Sequence, residues 1–245
     1  MLHNQTMDKL THMRMTGFLD GLKDQLNNPD YQDLTFEERI GFLVDKEHLY
    51  REEKKLSRRL KEAKLRFRAT IEEVDFHAPR DLKKSQFMEF AAGNWIRQHH
   101  NLVITGPTGV GKTYLACALA QKACHDDFRV LFYHFSDLIR NLGIARVDGS
   151  YHKLFSMIAK RDMFIIDDWL RDSLSADQSR YLLDLIDERF RTKSTLITTQ
   201  LPINDWHSRF KDQTIADAVL DRLVHDSYRI ELEGGSMRKK TANLT

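Results

Sequence analysis

Residues 101–124 read NLVIT, then GPTGVGKT, then YLACALAQKAC. An apolar run of strand length enters a glycine-rich turn, and an alanine- and leucine-rich stretch leaves it. The turn, Gly106-Pro107-Thr108-Gly109-Val110-Gly111-Lys112-Thr113, fits G-x-x-x-x-G-K-[ST] in full. Its three glycines let backbone N–H groups converge on an anion without interference from Cβ atoms. The helix that opens at Gly111–Lys112 points the positive end of its dipole at the same place. Lys112 is placed to reach β- and γ-phosphates, and the Thr113 hydroxyl to ligate Mg²⁺. A phosphate-binding loop between strand and helix sets the fold class: α/β, with a parallel sheet flanked by helices.

Met163-Phe164-Ile165-Ile166-Asp167-Asp168 reads as a buried strand with two carboxylates at its C-terminal end. Open parallel sheets place their chemistry there. Asp167 suits support of Mg²⁺, directly or through water. Asp168 suits orientation or deprotonation of an attacking water, which points to hydrolysis. No N-K-x-D base-reading motif occurs, so ATP is expected rather than GTP. Strands are expected at 101–105, 130–135, 163–166 and 195–199. Helices are expected near 85–98, 112–124, 136–142, 150–160, 175–191 and 214–225.

The first 78 residues have a different character. After Gly41 they contain no glycine, and their one proline is Pro29 in the turn-like NNPD. Short helices are expected around 7–25. Thr35 with Glu38 three residues on forms a capping-box signature before a long helical stripe. Residues 51–68, taken as helical, carry nine Lys/Arg against three Glu. A solvated helix face explains many such runs, but an excess of six positives also suits contact with DNA phosphates. Lys54, Lys55, Arg58, Arg59, Lys61, Lys64, Arg66 and Arg68 are the candidates. Ala78-Pro79-Arg80 marks a boundary, giving a helical domain over 1–78 and an ATPase domain over 79–245.

Composition narrows the setting. The 245 residues are 41% hydrophobic and 30% charged with a net charge of +2, enough for a sizeable core. A mean hydropathy of −0.52 and the lack of a long apolar run argue against a membrane, and no signal-like segment opens the chain, so the cytoplasm is expected. Cys117 and Cys124 read as reduced core thiols, and the scattered histidines lack metal-ligand spacing. Trp169, Trp206 and Phe164 read as packing residues rather than stacking platforms.

Two further segments resemble AAA+ ATPases. Thr195–Gln200 ends in polar side chains where that class carries its sensor 1, which implies Thr199 and Gln200 near the γ-phosphate; a capped strand end is the plainer reading. Ala218-Val219-Leu220-Asp221-Arg222-Leu223 resembles the box that carries an arginine finger, implying that Arg222 completes a neighbouring subunit's site; an Asp221–Arg222 surface pair is the alternative. Arg238 resembles a sensor-2 arginine, although a basic tail explains it as well.

Taken with LTFEERIGFLVDKEH, DFHAPR, RVDGSYHKL, FIIDDW, TTQLPINDWH and IADAVLDRLVHDSYRIELEGGSMRK, these stretches make the whole chain resemble the IstB family. These are the helper ATPases of two-gene insertion sequences, kin to the DnaC/DnaI helicase loaders in the initiator branch of AAA+. The resemblance implies a nucleotide-dependent homo-oligomer on double-stranded DNA that stimulates a transposase, and a core without the usual C-terminal lid. It also implies an inserted helical element within 136–160, whose Arg140, Arg146, His152 and Lys153 are either phosphate contacts or solvated surface. Asp168 departs from the glutamate usual in AAA+ enzymes, and Leu170 follows Trp169 where the family often has glycine. The alternative is a helicase loader acting on single-stranded DNA.

Overall fold

The computed structural model describes residues 2–237, and the chain divides into two compact units, 1–58 and 59–245. In the first, α1 (Leu2–His12) and α2 (Thr16–Asn27) precede a short 3-10 turn (Pro29–Asp33) and the long helix α3 (Phe36–Ala63), which continues into the second unit. The capping box is present at the start of α3. Glu38 Oε2 accepts from Thr35 N at 2.8 Å, and Thr35 Oγ1 accepts from Glu38 N at 3.3 Å. Helix α2 approaches α3 through two glycines one turn apart. A Cβ on Gly17 would lie 2.6 Å from the Lys46 carbonyl oxygen, and one on Gly21 would lie 2.9 Å from Leu43 Cδ2. Leu43 is buried at this contact, and Glu47 accepts a hydrogen bond from Phe18 N.

The helix expected over 51–68 ends earlier, at Ala63. Lys64 takes a left-handed φ of +53°, and the chain continues without regular structure. Residues 59–83 belong with the nucleotide fold, anchored by buried Ala63, Ala69, Ile71 and Val74.

The second unit is a five-stranded, wholly parallel sheet: β1 (Asn101–Thr105), β2 (Val130–His134), β3 (Met163–Asp167), β4 (Ser194–Thr199) and β5 (Ser227–Glu231), in spatial order β2-β3-β4-β1-β5. Helices α4 (Lys84–Ala91), α5 (Asn94–Arg97), α6 (Lys112–His125), α7 (Phe135–Asp148), α8 (Tyr151–Ala159), α9 (Ala176–Arg189) and α10 (Gln213–Val224) alternate with the strands. The four expected strands are present to within a residue or two. Strand β5 was not expected: SYRIE has only Ile230 buried, as suits an edge strand, and offers no apolar run to detect. The expected helix at 85–98 is broken by Gly93, whose φ of +74° ends α4. Helix α7 runs on to Asp148, past the expected end at 142.

Trp169 and Trp206 are fully buried and meet at 5.6 Å between ring centroids, with Phe135 5.1 Å from Trp169. They are packing residues, as is the fully buried Phe164. Among the described residues no helix is long and apolar enough to cross a membrane.

Because the α2–α3 contact leaves no room for a methyl group at Gly17, Gly17→Ala should destabilise the helical unit by about 1–3 kcal/mol. Thermal unfolding followed by circular dichroism would check this, and an unchanged midpoint would contradict the contact.

Candidate nucleotide site

The phosphate loop, Asp167, Asp168 and Gln200 lie at the C-terminal edge of the sheet. The loop after β1 turns through Gly109 (φ +82°) and Gly111 (φ +103°) into α6. Gly111 has a second reason to lack a side chain: a Cβ there would lie 2.6 Å from Nη1 of buried Arg80. That guanidinium donates to the Val110 carbonyl (3.2 Å) and the Asp75 carbonyl (2.8 Å), tying the segment before β1 to the loop; burial lowers its pKa. Lys112 Nζ folds back onto the Gly106 and Pro107 carbonyls at 2.8 and 2.9 Å. The segment after β5 closes the other side, with Leu232 N bonded to Thr105 O and Met237 N to Gly109 O.

Asp167, fully buried at the end of β3, is the centre of the arrangement. Its Oδ1 accepts from Thr113 Oγ1 at 2.8 Å and from Thr198 Oγ1 at 2.5 Å. Its Oδ2 is buried without a hydrogen-bond partner, and Arg66 Nη1 lies 3.6 Å from it. A buried carboxylate with one orphaned oxygen beside a threonine hydroxyl is a donor set that fits a hard divalent cation such as Mg²⁺. Thr198 also accepts from Asp168 N at 3.2 Å.

Asp168 faces the cleft. It holds a left-handed φ of +55°, which aspartate tolerates better than most residues. Its Oδ2 lies 3.2 Å from His134 Nε2, at the end of neighbouring β2. Leu170 is also left-handed, at φ +52°. That geometry suits glycine; here leucine bears a strain of about 1–2 kcal/mol, offset by complete burial of its side chain.

The cleft has a volume of about 1090 Å³. Its loop side carries Thr108, Gly109, Gly111, Lys112 and Thr113, and its sheet edge carries His134, Asp168 and Gln200. Arg66, Phe67, Glu73, Asp75 and Arg80 line it from the segment before β1. Gln200 Oε1 accepts from Thr108 Oγ1 at 2.5 Å. Thr199 is placed differently: it is fully buried, donates to the Trp169 carbonyl at 3.1 Å, and does not line the cleft. Its neighbour Thr198 makes the contact with Asp167. Sequence reading passed over Thr198 and His134, since β4 holds several threonines and only strand pairing shows which one faces β3.

Arg222 lies on α10, outside the cleft of its own chain. It pairs with Asp187 of α9, donates to the Ala218 carbonyl at 2.8 Å, and sits over the Phe190 ring. Arg238 falls outside the described residues.

The basic run is not uniform. Lys54, Lys55, Arg58, Lys61, Lys64, Arg66 and Arg68 are exposed, with Lys55 paired to Glu52. Arg59 is mostly covered and pairs with Asp127. Within the α7–α8 segment, Arg140 pairs with Asp137, and Arg146 stacks 3.7 Å above the Tyr151 ring. Both cysteines are buried thiols; burial pushes Cys124 up to about 11, and Cys117 is raised by the same cause.

A parallel sheet in the order β2-β3-β4-β1-β5 with a phosphate loop after β1 and an acidic pair at the end of β3 defines an AAA+ fold. The solved structures agree on the fold. The chain superposes on the DnaC helicase loader with a TM-score of 0.59 at 22% identity, covering 69% of this chain and 99% of that one. AMPPCP-bound DnaA from Aquifex aeolicus gives a TM-score of 0.59 at 17% identity, covering 73% and 54%. The family described as IstB-like ATP binding protein matches residues 8–245, and the chain belongs to it. One relative, the insertion sequence ATP-binding protein y4pL of Sinorhizobium fredii, is 41% identical over 239 residues, 98% of each chain.

Thr198→Val would remove a donor from the buried Asp167. It should cost about 1–3 kcal/mol of stability and weaken nucleotide binding. Thermal unfolding and titration with a fluorescent ATP analogue would check both, and wild-type values in each would exclude the role.

Proposed function

We propose that this chain is an ATP-hydrolysing transposition helper that assembles as a homo-oligomer on double-stranded DNA and there recruits and stimulates a transposase. The observation that carries the reading is the linked set Thr113–Asp167–Thr198 with Asp168 open to the cleft, in a chain belonging to a family of insertion-sequence ATP-binding proteins. Thr113 and Asp167 would hold Mg²⁺, which when bound offsets charge on the β- and γ-phosphates. Lys112 exchanges the carbonyls of its own loop for phosphate oxygens. Asp168 accepts the proton of the attacking water, its carboxylate oriented by His134. Gln200, which accepts from Thr108 of the loop, senses the terminal phosphate in this reading. Aspartate reaches one methylene less far than glutamate, which favours slow turnover and a switch governed by bound nucleotide.

Arg222, lying outside its own cleft, acts on the nucleotide of an adjacent subunit, so ATP at a subunit boundary drives assembly. The N-terminal region over 1–78, helical as far as Ala63, supplies DNA and partner contacts, with the exposed lysines and arginines along α3 meeting backbone phosphates. Binding of that kind depends steeply on salt and little on sequence.

Equilibrium binding to duplex and single-stranded DNA of equal length, with a slowly hydrolysed ATP analogue or ADP, tests this directly. Large complexes are expected on duplex with the ATP analogue alone. A preference for single strands would instead favour a helicase-loader role.

For the chemistry, Asp168→Ala should assemble normally but not turn over. Arg222→Ala should bind ATP while hydrolysis falls by about a thousandfold, and wild-type turnover in a steady-state phosphate-release assay would reject the trans role.

A further inference from the structure

Arg66 belongs by sequence to the basic run, yet its side chain lines the nucleotide cleft. On either side of Arg66 and Phe67 the chain is held by fully buried Ala63 and Ala69. The Phe67 ring sits 6.4 Å from that of Tyr114, next to Thr113, and the Arg66 guanidinium lies 5.7 Å from the Phe67 centroid. The main chain is thus anchored on both sides beside α6, while the Arg66 side chain remains 48% exposed.

The guanidinium approaches the one oxygen of Asp167 that lacks a hydrogen bond, at 3.6 Å. Thr113 and Thr198 both serve the other oxygen. A fully buried carboxylate needs compensating charge, and Arg66 lies within ion-pair distance of this one. A divalent cation held by the same carboxylate would repel the guanidinium. A long, half-exposed side chain on an anchored backbone can then turn away, and the anions within the same cleft are the nucleotide phosphates.

We infer that Arg66 is a phosphate-site cation acting within its own subunit: it neutralises Asp167 when no metal is bound and moves to the terminal phosphate when Mg²⁺ and ATP enter. The inference rests on the ATP reading of the site and adds to it a residue that discriminates ATP from ADP. Thr113 and Asp167 mark the end of the site where the metal bridges the β- and γ-phosphates, so ADP offers Arg66 the β-phosphate alone and one anionic group fewer than ATP.

The full chain, Arg66→Gln and Arg66→Lys would each be titrated with fluorescent ATP and ADP analogues at several Mg²⁺ concentrations. A charge-assisted hydrogen bond predicts that Arg66→Gln loses about tenfold or more in ATP affinity while ADP affinity changes less than about twofold. Arg66→Lys, which keeps the charge and loses the fork, should fall between. The Gln variant should also reach half-maximal ATP binding at lower Mg²⁺, because no side chain competes for Asp167. An ATP/ADP preference equal to wild type in both variants overturns the assignment. ADP binding by all three proteins would show that the site itself is intact, so that failure is distinct from a failure of the ATP reading, in which wild type would bind neither nucleotide. Thermal unfolding of each variant accompanies the titrations, and the Lys variant reports on the role should the Gln variant not fold.

Discussion

A single buried carboxylate holds the site together. Asp167 is fully enclosed at the end of β3, and enclosing a charge is costly unless its surroundings answer it. Thr113 from the helix after the phosphate loop and Thr198 from β4 both donate to one oxygen, and Arg66 faces the other. Strand, loop and preceding segment are thereby referred to one point. A shift of any of them would leave the carboxylate under-satisfied, so the geometry of the phosphate loop relative to the acidic strand is set by this requirement as much as by the sheet.

The sheet order makes that convergence possible. Strand β4 lies between β1 and β3, with Ile104 paired to Thr198 on one side and Ile166 to Ile197 on the other. Strand β2 on the far side of β3 brings His134 opposite Asp167 in register and within reach of Asp168. Residues separated by more than thirty positions thus meet at one edge through backbone pairing alone. Backbone strain is stored at the same edge, where Asp168 and Leu170 both hold left-handed conformations that turn the chain sharply.

The segment before β1 contributes more than a connection. Arg80 reaches under the loop to Val110, and Phe67 packs near Tyr114. A run that looks by charge like one solvated helix therefore serves different ends: exposed lysines and arginines along α3, a covered ion pair at Arg59, and a cleft-lining side chain at Arg66. Charge counts cannot separate these, because a left-handed turn at Lys64 redirects the chain and composition does not encode direction.

The local signals were legible from the residues alone. The phosphate loop, the acidic strand end and the Thr35–Glu38 cap are each set by contacts within a few residues or by a buried apolar run, so spacing and residue type suffice. Resemblance over the whole chain gave the family. Tertiary structure decided the rest. Strand β5 needed β1 beside it, since an edge strand with one buried residue carries no pattern of its own. Thr198 rather than Thr199 meets Asp167 because alternate side chains of a strand point to opposite faces and only the register with β3 selects one. His134 and Arg66 reach the site across the sheet and from a distant turn, separations for which one chain's linear order holds no marker.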